Sequence, residues 1–179
     1  MRLAVARNMN AVVPGGIEDV APWPDWGAAA AGGALEFLHE HMGWDVWMVT
    51  RVVGDCQIVL SSYPDGSVRP GANLPWGESF CRQMVEGNAP RVATVTAAVP
   101  AYAALTRGLG HEVAAYLGVP LVMGDGQLFG TLCGVAYRAK PLSATRDLPL
   151  VETMARLLST LLVPGFSTES ALVLPAPTA

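Results

Sequence analysis

The sequence predicts an α+β domain: an antiparallel β-sheet with its terminal helices on one face and an irregular roof on the other. Three observations carry this. Apolar residues repeat at helical spacing near each end of the chain, two pairs of β-type runs are joined by short turns, and the last strand has two unlike faces.

Residues 1–27 lack a sustained period, and Pro22 and Pro24 rule out a regular helix through Trp23 and Trp26. This segment is expected to be an arm laid across the body or a partner subunit. Ala31, Ala34, Leu35, Leu38 and Met42 then mark a helix over 28–42, with Gly43 as its C-terminal stop. Residues 44–53 and 56–63 read as strands around Gly54-Asp55. A short helix opens at Trp76-Gly77-Glu78-Ser79, shows an apolar face in Phe80, Met84 and Val85, and ends at Gly87. A brief strand at 91–96 and a helical turn or two at 100–108 follow.

The second half carries the strongest hairpin signal. An apolar run over 113–123 meets Gly124-Asp125-Gly126, and residues 128–137 return as a strand. Pro120 removes one ladder donor, so its side of the strand is expected at an edge or a bulge. Asp147 and Pro149 suit the start of a helix that runs to Leu162 and stops at Pro164-Gly165, leaving 164–179 as a tail. In the last strand Gly130 and Gly134 alternate with Phe129, Thr131, Cys133 and Val135. Glycine inside a strand costs about 0.5–1 kcal/mol relative to alanine, so the glycine face is expected against closely approaching helices. The Phe129 and Thr131 face then looks toward the roof, residues 76–112.

Composition excludes several classes of function. With 11 Lys+Arg against 15 Asp+Glu, the formal charge of −4 offers no basic field for nucleic acid or an anionic membrane. Half the residues are apolar, yet no run is long enough to span a bilayer, and the N-terminus lacks the apolar stretch of a secretory signal. A cytoplasmic location is expected. The 3 cysteines, Cys56, Cys81 and Cys133, stand at no metal-ligand spacing and are read as reduced thiols.

Five segments together resemble a GAF domain: Glu78-Ser79-Phe80-Cys81-Arg82, Ala89-Pro90-Arg91-Val92-Ala93, Val99-Pro100-Ala101-Tyr102, Tyr116-Leu117-Gly118-Val119-Pro120-Leu121 and Asp125 through Cys133. The chain is similar to the GAF modules of bacterial signalling proteins over roughly 28–162, within a domain expected to span 28–163. The resemblance implies a central antiparallel sheet with helices on one face and a small-molecule pocket on the other. The Asn-Lys and Asp-Glu signature of cyclic-nucleotide-binding members is absent, and no cysteine is followed by histidine as in bilin-binding members. The cysteine contexts also differ from those of the free methionine sulfoxide reductases in the family. Haem-binding members use a histidine, and His111 alone stands in the roof.

Cys81 lies in the first turn of a short helix, where the helix dipole and Arg82 favour a thiolate. A buried cysteine packed beside Phe80 and Met84 is the plainer alternative, and Cys133 in mid-strand suits a passive wall. His111 follows Gly108-Leu109-Gly110 and is either a pocket residue or an ordinary loop histidine. His39 and His41, two apart on a helix, face different ways and form no chelate. Trp76, Phe80, Tyr102 and Tyr116 opposite Phe129 and Thr131 complete the candidate pocket with Cys81, His111 and Cys133. Neither a catalytic triad, a phosphate loop nor a metal set is recognisable, and the sequence names no cofactor.

The expected function is therefore a stand-alone, non-catalytic sensory domain that binds a small molecule and signals through its terminal helices to a partner protein. A thiol-based redox enzyme or sensor centred on Cys81 and a ligand-free dimerisation scaffold are the alternatives. A homodimer is expected through helices 28–42 and 148–163. Two apolar stripes, Leu150-Met154-Leu157-Leu161 and Val151-Ala155-Leu158-Leu162, exceed what one sheet contact needs.

Overall fold

The computed structural model describes residues 25–109 and 113–162; residues 1–24 with Trp23, His111 and the expected tail 164–179 lie outside them. Helix α1 spans Asp25–Met42, starting before the expected residue 28, and Gly43 ends it with a positive φ of 62°. Strands β1 (Val46–Val53) and β2 (Cys56–Tyr63) form the first hairpin, and β3 (Asn73–Pro75) adds a short edge. Helix α2 (Phe80–Val85), strand β4 (Val92–Ala93) and helix α3 (Pro100–Leu109) belong to the roof segment. Strands β5 (Ala115–Val122) and β6 (Leu128–Ala136) form the second hairpin, and α4 (Leu148–Thr160) closes the fold.

All pairings in the six-stranded sheet are antiparallel, in the order β3-β2-β1-β6-β5-β4. The β5–β6 turn uses Gly126 at φ 85°, and the Asp125 carboxylate accepts from the Gln127 N–H at 2.9 Å. Strand β4 pairs only with Leu117 and Tyr116, and the Gly118 N–H donates to the Arg91 carbonyl as its last contact. Pro120 therefore sits beyond β4, next to the bulge at Leu121/Val122, where its missing N–H costs no ladder bond. Past it, the Val122 N–H donates to Ser159 Oγ on α4 at 3.1 Å.

The sheet separates two apolar clusters. Leu35 and Leu38 of α1 and Val151, Ala155 and Leu158 of α4 pack with Trp47, Val49, Leu117, Val119 and Leu132 on one face. Val46, Cys81, Met84, Tyr102, Tyr116, Cys133 and Val135 pack on the other. Of the two stripes on the closing helix, the one through Val151, Ala155 and Leu158 is buried, while Leu157 and Leu150 remain 57% and 37% exposed. Asp147 was expected to cap α4 through its side chain; its carboxylate instead accepts from Trp44 Nε1 at 3.3 Å.

Two expectations for β6 need correction. A Cβ at Gly134 would stand 3.0 Å from the Trp47 indole, and one at Gly130 would stand 1.8 Å from the Thr50 carbonyl oxygen. The close approach comes from β1, not from a helix. Phe129 is the extra residue where Leu121 pairs with Gly130 and Val122 with Leu128. That bulge shifts the alternation, and Phe129 joins the helix-side core with Arg51 stacked on its ring at 5.2 Å.

These contacts order two substitutions. Gly134→Ala is expected to cost about 1–3 kcal/mol by crowding the buried Trp47 indole. Gly130→Ala meets backbone and is expected to cost more, with loss of β1–β6 pairing. Equal denaturation midpoints for the two variants would contradict this order.

Candidate functional site

The site begins with the entry into α2. Ser79 Oγ accepts from the Arg82 N–H at 3.0 Å and donates to the Trp76 carbonyl at 2.9 Å, fixing the first turn. Cys81 and Met84, three residues apart, then face the sheet. Arg82 pairs with Glu86 at 2.6 Å on the exposed side.

Strands β1, β2, β5 and β6 bring Thr50, Gln57, Tyr116, Thr131 and Cys133 to the same cluster, all buried. Tyr116 Oη and Thr131 Oγ1 each donate to Cys81 Sγ at 3.2 Å. Thr131 has then used its only hydrogen, so its oxygen accepts from Thr50 Oγ1 at 2.8 Å. Thr50 in turn accepts from Gln57 Nε2 at 2.9 Å. The donors point in one direction, from Gln57 through two hydroxyls to the sulfur, and each polarises the next.

Glycine makes the phenol's position available. A Cβ at Gly118 would stand 2.0 Å from Tyr116 Oη, so Tyr116 lies along β5 over a residue that has no side chain. Phe80, Tyr102 and Tyr116 pack on one another with ring centroids 5.1–5.6 Å apart. Tyr102 Oη donates to the Pro90 carbonyl at 2.7 Å, which ties α3 to the segment before β4.

This setting separates two thiols. The Cys133 thiol is the largest influence holding Cys81 down, to about 6; burial opposes it, and hydrogen bonds from Thr131, Tyr116 and Gln57 add to the lowering. Cys133 is pushed well up by its hydrogen bond to Cys81 and by burial, so the pair carries one charge and Cys81 ionises first. Burial, with the nearby Cys81, keeps both Tyr116 and Tyr102 protonated as donors. The sequence-based cause was the helix dipole with Arg82; instead, Arg82 turns to Glu86 and neutral hydroxyls surround the sulfur.

A family model described as GAF domain matches residues 29–162, three quarters of the chain. The chain belongs to the GAF family. No curated protein matches its sequence significantly. Among solved structures, the GAF domain from Acinetobacter phosphoenolpyruvate-protein phosphotransferase aligns at TM-score 0.59 and 16% identity, over 82% of this chain and 87% of that one. Free methionine-R-sulfoxide reductase from Neisseria meningitidis, solved with its substrate, aligns at 0.59 and 20% identity, over 82% and 83%. The chromophore-binding domain of an unusual bacteriophytochrome from R. palustris aligns at 0.57 and 14% identity over 80% of this chain. The alignment spans 57% of that longer structure. Identities this low establish a shared fold.

In this GAF domain, six of the nine expected pocket residues meet: Phe80, Cys81, Tyr102, Tyr116, Thr131 and Cys133. Trp76 packs half-buried at the edge of the same cluster, Phe129 lies on the helix side, and His111 is outside the described residues. The six pack on one another. A groove of about 740 Å³ lies elsewhere, between the end of β5 and α4, with Arg91 and Glu152 paired beside Pro120 and Met123. Thr50 and Gln57 went unnoticed in the sequence, although a polar residue within the run Cys56-Gln57-Ile58-Val59 is a legible hint of a buried partner.

The sign of the thiol shift sets a pH dependence. Cys81 ionises below its ordinary 9.0 in the folded protein, so between about pH 6 and 9 the unfolded chain binds more protons. Stability is expected to rise with pH across that window and to lose this contribution as pH falls through 6. Cys81→Ala should flatten the rise in denaturation midpoints, and Tyr116→Phe should move its onset upward. An unchanged profile in Cys81→Ala would contradict the assignment.

Proposed function

We propose that this GAF domain is a regulatory, non-catalytic sensor. A small thiol-directed molecule acts at Cys81, and α1 and α4 pass the change to a partner protein. The observation supporting it most is the convergence of Tyr116 and Thr131 hydroxyls on one buried sulfur, with a second thiol beside it. A passive cysteine needs no such set of donors. A reduced thiol cluster suits a cytoplasmic setting.

Strands β5 and β6 supply the route. Tyr116 and Cys133 alternate along them with Leu117 and Leu132, which are buried against the core that holds α1 and α4. A side chain added at Cys81 displaces Tyr116 or Cys133, and a close-packed sheet hands that displacement to its other face. The exposed Leu150 and Leu157, seven residues apart on α4, suit a homodimer contact, because leaving both in water forfeits about 1.5–3 kcal/mol each.

Methyl methanethiosulfonate tests the sensor reading. It is expected to modify Cys81 in the folded protein and to raise amide hydrogen exchange in α1 and α4. Failure to modify Cys81, or changes confined to the roof, would overturn it. For the dimer, Leu157→Glu should weaken self-association by at least about tenfold in sedimentation. A wild-type monomer at high micromolar concentration would contradict the contact.

A further inference from the structure

The pairing of Cys81 with Cys133 goes beyond a single reactive thiol. Cys133 stands opposite Gly118 in the β5–β6 register, and Tyr116 Oη lies in the space above that glycine. Tyr116 Oη also contacts Cys81 Sγ, so one hydroxyl marks the spot that both sulfurs share. Cys56, at the start of β2, faces Pro75 and Val53 and belongs to neither apolar cluster. The described residues contain no group of three His, Cys, Asp or Glu side chains able to ligate a metal. Two thiols among neutral hydroxyls are instead the equipment for a two-electron thiol–disulfide change.

We propose that a small hydroperoxide oxidises Cys81 and that Cys133 resolves the product as a Cys81–Cys133 disulfide joining α2 to β6. This rests on the reading of Cys81 as the reactive thiol. In the first step the Cys81 thiolate attacks the peroxide, the O–O bond breaks, and an S–O bond forms. The leaving oxygen takes up the proton that Cys81 released, so Cys81–SH and ROOH become Cys81–SOH and ROH. Tyr116 and Thr131, each 3.2 Å from the sulfur, are in reach to hydrogen-bond that oxygen as charge builds on it. In the second step Cys133 sulfur attacks the sulfenic sulfur, the S–O bond breaks, and water leaves with the Cys133 proton. The two sulfurs together lose two electrons and the peroxide gains them. Burial selects the oxidant: Cys81 is 4% exposed and Cys133 1%, which admits a small neutral molecule and excludes bulky disulfides.

The test uses the reduced full chain and hydrogen peroxide. Intact mass is expected to fall by about 2 Da as two thiols are lost, with peptide mapping joining Cys81 to Cys133 and a dithiol reversing the change. Cys81 should oxidise at least about tenfold faster than Cys56. Cys133→Ser, checked for folding by circular dichroism, should trap Cys81 as a dimedone-reactive sulfenic acid. Wild-type protein that accumulates Cys81 sulfenic or sulfinic acid with Cys133 free, or forms a disulfide through Cys56, overturns the proposal. So does resistance to peroxide in protein whose Cys81 is modified by the methanethiosulfonate, a result that leaves the sensor reading standing. Resistance to both reagents removes both.

Discussion

Tyr116 reaches Cys81 only because residue 118 has no side chain. The phenol lies along its own strand, its hydroxyl meets a sulfur from a helix 35 residues earlier in the chain, and its ring seats Phe80 and Tyr102. One contact thereby fixes where α2 sits over the sheet, which thiol receives the hydrogen bonds, and how the roof is filled. Without it Cys81 would keep Thr131 and Cys133 beside it but lose one of the hydrogen bonds that offset burial, which by itself raises a thiol's pKa.

The polar part of the cluster is consistent with that constraint. Gln57, Thr50 and Thr131 come from three strands, and each is buried. Buried hydroxyls and amides are costly unless paired, and here each finds its partner in a row that ends at sulfur. The stability of the sheet and the ionisation of Cys81 are therefore linked. A charge on the sulfur improves every hydrogen bond in the row, and a modified sulfur removes the acceptor at its end.

Much of the fold was legible from local signals. The Gly124-Asp125-Gly126 turn, the helical spacing near both ends and the GAF-like segments place both hairpins, α1 and α4 close to where they lie. What went astray depended on tertiary detail. A one-residue bulge at Phe129 reverses its side, and no period-two pattern announces such a bulge. The two β6 glycines were correctly marked as sites of close approach, but their neighbours, Trp47 and the Thr50 carbonyl, come from β1, far away in the sequence. Cys81, Tyr116, Thr131 and Cys133 are all in the pocket read from the sequence, but the influence on the thiol was assigned to Arg82, which is adjacent in the chain yet points outward, whereas the hydroxyls that act on it meet it only once the sheet has formed.

Ionisation of the sulfur is the claim on which the rest turns. Thiolate absorbance near 240 nm, followed against pH in reduced wild-type protein and in Cys81→Ser, measures it directly. A step with its midpoint at about 6 is expected in the wild type and absent from the variant. A wild-type curve with no step below about pH 8, the range of an ordinary thiol, would contradict it.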